Sequence, residues 1–328
     1  MRQAPQYCGL TDGRLHLSHG PIDLIIEAFA APISVEAAYA AAWRRFTTIL
    51  DELCAELPLL RAPASPIDPA PVGAVARRMA GAVAPLSHAR FITPMAAVAG
   101  GVAEEILAAM TDAAPLRRAY VNNGGDIALH LLADEQFTIG LIDRPDRPNL
   151  FGSAAIYGRD AVRGIATSGW RGRSFSLGIA DAVTILARTA AMADAAATLI
   201  ANAVDLPDNP AIRRACANSR DPQSDLGDRL VTTGVGPLTS REIDDALGAG
   251  CAEAERLLRL GAIEAAALHL CGETRLCHGR AETDTDDRVP PARYREPSEA
   301  IARSSPNWLL GPARRDEIRE GTARHAQG

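Results

Sequence analysis

The order of strand-like and helix-like segments is the feature that most limits which folds this chain can adopt. Residues 13–30 alternate between apolar and polar side chains and then become continuously apolar, which is typical of strands. Residues 34–57 follow with Ser34 as an N-cap and apolar side chains at helical spacing, which predicts a helix. Later segments add both types without a regular strand–helix–strand repeat. The pattern therefore favours an α+β fold, with mixed sheets and packed helices, over a Rossmann sheet.

The remaining elements can be placed from periodicity and from turn residues. Helices are predicted over residues 73–86, from the Gly100–Gly101 pair to Met110, and over 189–204. Another is predicted over 241–250, capped by Thr239 or Ser240, with a further helix before a final strand near 265–272. Strands are predicted over 180–187 and 229–235. We expect residues 1–280 to form one large domain and the charged, proline-rich residues 281–328 to form a flexible tail.

Charge and cysteine usage exclude several classes of protein. The formal net charge of −6 argues against nucleic acid as a partner, because a duplex-binding protein needs a basic face. The sequence contains neither an apolar run long enough to span a membrane nor an N-terminal signal peptide, which predicts a cytoplasmic protein. The six cysteines form no CxxC pair, so a disulfide framework is not expected. Cys271, Cys277 and His278 lie close in sequence and leave a metal site as a weak alternative.

Residues 122–126, with the sequence NNGGD, are a candidate binding motif between two apolar runs. Glycines let backbone N–H groups face a phosphate or a carbonyl, and asparagine amides both donate and accept hydrogen bonds. The carboxylate could bind a ribose hydroxyl or a cation. A polar strand-edge turn is the alternative interpretation, although such a turn needs fewer special residues. The candidate binding residues here are Asn122, Asn123, Gly124, Gly125 and Asp126.

A second candidate lies in residues 165–175, where hydroxyls and a glycine precede two arginines. Hydroxyls, a small backbone and guanidinium groups suit a diphosphate. The alternative is that the arginines are solvated on an exposed loop. The candidate residues are Thr167, Ser168, Gly169, Arg171 and Arg173.

A third candidate is the pair Asp194 and Thr198, which are four residues apart and so project from one face of the predicted helix. A carboxylate and a hydroxyl among alanines could bind Mg²⁺, which prefers oxygen ligands. Alternatively, Asp194 offsets the helix dipole and Thr198 bonds to a backbone carbonyl, and spacing alone favours this second interpretation.

Taken together, these segments resemble the ApbE-like superfamily, whose best-known members are Mg²⁺-dependent FAD:protein FMN transferases. The branch that the chain resembles most is the uncharacterised protein family 0280, over roughly residues 10–280. The segments that carry the resemblance are GPIDLII, TPMAAVAGGVAEEI, VNNGGDIAL, GIATSGWRGRSFSLGIADAVTILA, MADAAATLIANAVD and DPQSDLGD.

The resemblance implies a ligand set for the metal and a position for the nucleotide. The transferases hold their metal through a backbone carbonyl and through an aspartate and a threonine on a helix. The matching positions here are Ala99, Asp194 and Thr198. The NNGGD segment corresponds to an element that lines the flavin nucleotide, and residues 167–169 correspond to the TSG turn of the family.

The chain also departs from the transferases, which carry a histidine after the TSG turn. Here SFSLGIAD occupies that position, and no histidine lies between His130 and His269. Asp181 is the candidate catalytic base in its place.

The resemblance implies a protein that binds FAD with Mg²⁺ and acts at the diphosphate, by FMN transfer to a flavoprotein acceptor or by FAD hydrolysis. One alternative is a non-catalytic flavin-binding or redox-enzyme maturation protein. Another is an enzyme for an unrelated small metabolite, with Arg171 and Arg173 as a clamp. The alanine-rich faces would permit a homodimer.

Overall fold

The computed structural model describes residues 4–64, 70–88, 90–142, 150–279 and 294–295. The fold is α+β, as predicted from the order of the elements. No helix among the described residues is both long enough and apolar enough to cross a membrane.

In the described residues, nine strands form one sheet in which all neighbours are antiparallel. In their order across the sheet, the strands are β1 Gln6–Gly9, β2 Leu15–His19, β3 Ile22–Phe29, β4 Arg118–Asn123, β5 Asp126–Leu131, β8 Gly164–Ser168, β9 Ala182–Ala187, β12 Ala265–Leu270 and β13 Glu273–His278. Two smaller antiparallel sheets pair β6 Gln136–Ile142 with β7 Leu150–Tyr157, and β10 Ile212–Cys216 with β11 Leu230–Val235.

Alternation along the central strands directs side chains into two cores, one on each face of the large sheet. In β3, Leu24 and Ile26 enter the larger core, while Ile25 enters the smaller core beside Phe137 of β6. The helices that contribute to the larger core are α1 Pro32–Ala55, α2 Leu57–Leu60, α3 Ala74–Val83, α4 Val98–Ala113, α5 Ala190–Ala203 and α7 Ser240–Arg259. A further short helix is α6 Ala217–Arg220.

Helix α7 confirms one prediction and corrects another. Thr239, one of the two residues predicted to cap it, is its N-cap, and the structure adds a capping box with Glu242. The two helices predicted after it are instead one continuous helix. Glycine at position 250, inside that helix, allows close packing, because a Cβ there would overlap the side chain of Val204 at the end of α5. The strand predicted last, β12, is followed by a further strand, β13.

Most of the predicted tail, residues 281–328, lies outside the described residues. Its described part is β14, Tyr294–Arg295, which pairs with Ser153 and Ala154 of β7. The prediction of a flexible tail therefore stays a prediction.

Close approach of α4 to α5 brings the predicted site segments together. A Cβ at Gly100 would overlap the backbone carbonyl of Ala190, so only glycine permits this distance between the two helices. The hairpin formed by β4 and β5 ends beside the first turn of α4. Three segments that are far apart in sequence therefore meet at one point.

Candidate functional site

The NNGGD segment forms a hairpin turn and also contributes side chains to the site. Asn123 and Asp126 are paired across β4 and β5, so Gly124 and Gly125 form a two-residue loop, and both have positive φ. The side chain of Asn122 accepts a hydrogen bond of 2.9 Å from the Gly125 N–H and so stabilises the turn. The turn interpretation therefore describes the backbone of this segment, and ligand binding by its residues stays a prediction.

Asn123 and Asp126 connect this turn to the neighbouring helices. The Asn123 amide donates a hydrogen bond of 3.2 Å to the backbone carbonyl of Ala99, in the first turn of α4. The Asp126 carboxylate accepts a hydrogen bond from the Thr167 N–H and lies near the Arg173 guanidinium. A Cβ at Gly124 would overlap Nη2 of that same arginine, so a side chain at this position would displace the guanidinium.

Asp194 lies on α5, opposite the first turn of α4. Its Oδ2 accepts a hydrogen bond of 3.0 Å from the Gly100 N–H, and the Ala99 N–H also contacts the carboxylate. Free N–H groups at a helix start carry partial positive charge, so α4 directs its positive end at this carboxylate.

Asp126 and Asp194 form a pair of partly buried carboxylates that repel each other. Burial raises the pKa of Asp126 to about 7, although the Thr167 N–H and Arg173 oppose this rise. Burial and then the charge of Asp126 raise the pKa of Asp194 well above the usual range for an aspartate. A pair of this kind favours a bound cation, because a cation would offset both the burial and the repulsion.

Both carboxylates line a pocket with a volume of 360 Å³. This volume is toward the lower end of the range for pockets that enclose small ligands. The charges of its described lining come from four aspartates and two arginines, so negative groups are in excess. The lining residues with polar or charged side chains are Arg61, Thr93, Asp126, Ser168, Arg173, Ser174, Asp194, Thr198, Asn202, Asp221, Gln223, Ser224 and Asp225.

The oxygen atoms around this pair fit a hard divalent cation. Ala99 and Thr198 line the same pocket as the two carboxylates, so it offers carboxylate, carbonyl and hydroxyl oxygens of the kind that Mg²⁺ prefers. A cation would compete with Asn123 for the Ala99 carbonyl oxygen. Within the described residues, no group of three or more His, Cys, Asp or Glu side chains is placed to hold a metal. Soft or nitrogen-preferring metals therefore have no matching ligand cluster there.

The two arginines predicted to act together are separated in the structure. Arg173 lines the pocket, whereas the Arg171 guanidinium stacks on Trp170 and forms an ion pair of 2.7 Å with Asp181. A clamp built from both arginines is therefore not present in this structure.

Asp181, the candidate base, is not among the pocket-lining residues. It is only 8 % exposed, and its Oδ1 accepts hydrogen bonds from Arg171 and Trp170. Its Oδ2 accepts one of 2.8 Å from the Cys271 N–H. Both oxygens are engaged by donors, so the geometry gives Asp181 a role in holding residues 170–171 and 271 together.

The TSG residues contribute unequally to the pocket. Ser168 lines it, while the Thr167 hydroxyl is within hydrogen-bond distance of Thr184 Oγ1 at 2.9 Å. A Cβ at Gly169 would overlap the Asp181 carbonyl, so this glycine permits the close approach of two backbone segments.

One wall of the pocket comes from residues that the sequence analysis did not single out as ligand-binding. Asp221 and residues 223–226 line it, and Asp225 accepts a hydrogen bond from the Thr93 hydroxyl. Phe91 also contributes to the lining. The signal for them lay in the segments TPM and DPQSDLGD, which support the resemblance without indicating where the chain places them.

Comparison with known proteins settles the family. A family model described as "AbpE bacteria" matches residues 8–276, which is most of the chain. The chain belongs to this family. The resemblance inferred from the sequence motifs is thereby confirmed at the level of the superfamily.

The relatives found by sequence agree with this assignment. A UPF0280 protein of Methanothrix thermoacetophila is 38 % identical over 140 residues, covering 42 % of this chain and 55 % of that protein. A UPF0280 protein of Methanopyrus kandleri is 38 % identical over 154 residues, covering 46 % and 58 %. The chain thus spans just over half the length of these relatives.

Among solved structures, one match is the apo form of the Pseudomonas stutzeri flavinyl transferase ApbE. It has 12 % sequence identity and a TM-score of 0.38, with 85 % of this chain and 96 % of that chain covered.

Proposed function

We propose that this protein binds a flavin nucleotide, FAD, together with Mg²⁺, and that it cleaves or transfers at the diphosphate. The observation that carries the proposal is the pair of partly buried carboxylates, Asp126 and Asp194, on one pocket with Ala99 and Thr198. The flavin itself comes from the family and from the name of the solved relative, a flavinyl transferase.

Each part of the pocket has a task under this proposal. Asp194, Thr198 and the Ala99 carbonyl would hold the cation, with Asp126 beside them. When bound, Mg²⁺ would neutralise the charge that develops on the diphosphate. Arg173 would bind a phosphate oxygen through its guanidinium. Because FAD is larger than the pocket, we place the diphosphate at the cation and part of the dinucleotide outside the enclosed volume.

A second candidate function is that of a flavin-binding or maturation protein without catalysis. No histidine, cysteine or lysine lines the pocket in the part of the chain that the structure describes. These side chains often serve as bases or nucleophiles, so this lining favours a carrier unless another group supplies the base. A flavoprotein acceptor and a cytoplasmic location remain part of the proposal.

The experiment is a titration of FAD into the purified protein with and without Mg²⁺, followed by chromatography of the nucleotides. Mg²⁺-dependent binding with release of AMP is expected for a transferase or hydrolase. Mg²⁺-dependent binding with intact FAD would support the carrier. Absence of FAD binding under both conditions would contradict the flavin proposal and would favour another small metabolite as the ligand.

A further inference from the structure

The pocket contains hydroxyl groups that could act as nucleophiles. In its described lining they belong to Thr93, Ser168, Ser174, Thr198 and Ser224. A hydroxyl is a weak nucleophile unless an adjacent base accepts its proton. The contacts of each hydroxyl therefore decide which one is activated.

Thr93 has the contact that activation requires. Its Oγ1 donates a hydrogen bond to Oδ2 of Asp225, and both residues line the pocket. By contrast, Ser224 Oγ accepts a hydrogen bond from the Leu226 N–H, and Thr198 lies on the face of α5 that carries Asp194. Among the described pocket hydroxyls, Thr93 is the one that donates a hydrogen bond to a carboxylate.

The backbone holds Thr93 in a fixed position on the pocket that the carboxylate pair also lines. Thr93 is 2 % exposed and precedes a short 3₁₀ helix, Pro94–Ala97, that leads directly into α4. The first turn of α4 contains Ala99, which faces the same pocket. The nucleophile candidate and the proposed cation site are therefore joined by a short, structured connection.

We propose that Thr93 is the covalent acceptor of one half of an organic diphosphate, with Asp225 as the general base. The inference rests on the proposed function, because it uses the same pocket and the same diphosphate. A lone pair of Thr93 Oγ1 forms a bond to one phosphorus atom. The bridging P–O bond breaks, and its electron pair leaves on the departing phosphate. The proton of Oγ1 passes to Oδ2 of Asp225, and the product is a phosphoester on Thr93.

A purely structural role would be a tether that holds residues 221–226 against the pocket. Asp225→Asn separates the two roles. Asparagine still offers an oxygen to the Thr93 hydroxyl, so the tether is kept, but the amide cannot accept the proton. Thr93→Ser keeps the nucleophile, and Thr93→Val removes it with little change in shape. Thr232→Val is a matched control, since Thr232 is also buried but does not line the pocket.

The test is acid quenching at short times after mixing the protein with Mg²⁺ and either FAD or NAD⁺, followed by intact-mass measurement and peptide mapping. We expect a mass increase equal to the transferred half of the probe, located on the peptide that contains Thr93. It should be present in the wild type, Thr93→Ser and Thr232→Val, and absent in Thr93→Val. In Asp225→Asn it should form about 100-fold more slowly, the lower range for loss of a general base.

FAD binding by the wild type and by Thr93→Val is measured separately by flavin fluorescence. An adduct on Thr93 from NAD⁺ without FAD binding would support the inference and contradict the flavin proposal. FAD binding and cleavage without an adduct, at equal rates in the wild type and Thr93→Val, would overturn the inference and leave the proposed function standing. Absence of an adduct with both probes, or an adduct on another residue, would also overturn it.

Discussion

Asp181 and the pair formed by Asp126 and Asp194 have opposite surroundings. Asp181 is met by three donors, from Arg171, Trp170 and the Cys271 backbone, and lies outside the pocket. Asp126 and Asp194 face each other on the pocket, and burial raises the pKa of both. Withdrawal from solvent therefore does not by itself distinguish a structural carboxylate from a ligand-binding one. The hydrogen-bond donors around the carboxylate distinguish the two, because a carboxylate whose charge is incompletely compensated favours a bound cation.

The largest expected effect is the loss of stability in Asp181→Ala. Removing this carboxylate leaves Arg171 without its ion-pair partner and the Cys271 N–H without its acceptor. We expect the free energy of unfolding to fall by about 3 kcal/mol, the lower range for breaking a buried pair, because Arg171 is partly exposed. Urea denaturation measures this free energy of unfolding. A loss of Mg²⁺ affinity without loss of stability would instead indicate that Asp181 is a site residue.

In Asp194→Asn we expect ligand affinity to fall while stability is kept. It removes a carboxylate that repels Asp126, so stability without metal should be unchanged or higher. Mg²⁺-dependent FAD binding should weaken by at least about 100-fold, or about 2.7 kcal/mol. Calorimetric titration measures the affinity, and thermal unfolding checks the fold. Equal Mg²⁺ dependence in the variant and the wild type would contradict the metal assignment.

Arg173 and Arg171 allow the same comparison between a pocket residue and a structural residue for positively charged side chains. Arg173→Met removes a guanidinium that lines the pocket and should weaken FAD binding by about tenfold at saturating Mg²⁺, the effect of one charge-assisted hydrogen bond. Arg171→Met is the matched control and should lower stability while leaving the affinity unchanged. Fluorescence titration of both variants decides the point, and similar losses of affinity would mean that the two arginines act together.

The smallest effects are expected in the glycine turn. Gly124→Ala and Gly125→Ala both place a side chain at positive φ, at a cost of about 1–2 kcal/mol each. Only a Cβ at position 124 meets Arg173, while nothing lies within 4 Å at position 125. FAD affinity should therefore fall several-fold in Gly124→Ala alone. Equal affinities in the two variants would show that the position of Arg173 does not matter for binding.

Local sequence patterns were enough to predict much of the fold and part of the site. Helical spacing placed Asp194 and Thr198 on one face of α5 and predicted the helix that leads from Gly100–Gly101 to Met110, which the structure shows as part of α4. Thr239, one of the two residues predicted to cap α7, is its N-cap. All of these depend on neighbours within one or two helical turns.

What could not be predicted depends on contacts between distant segments. The separation of Arg171 from Arg173 arises because Asp181 and Trp170 bind the first guanidinium, and spacing along the chain does not show this. The placement of Asp225 against Thr93 requires residues 221–226 to fold over the pocket. The close packing of α7 at Gly250 against Val204 likewise joins segments that are distant in sequence.

The most direct test of the cation site is a crystal structure of the protein grown with Mn²⁺, using the anomalous scattering of manganese to locate it. We expect a peak between Asp126 and Asp194, with ligand oxygens that include those of Ala99 and Thr198 at about 2.1 Å, the distance for hard divalent cations of this size. A structure with these carboxylates ordered and no manganese between them, or with manganese only at other residues, would contradict a cation site at this pair.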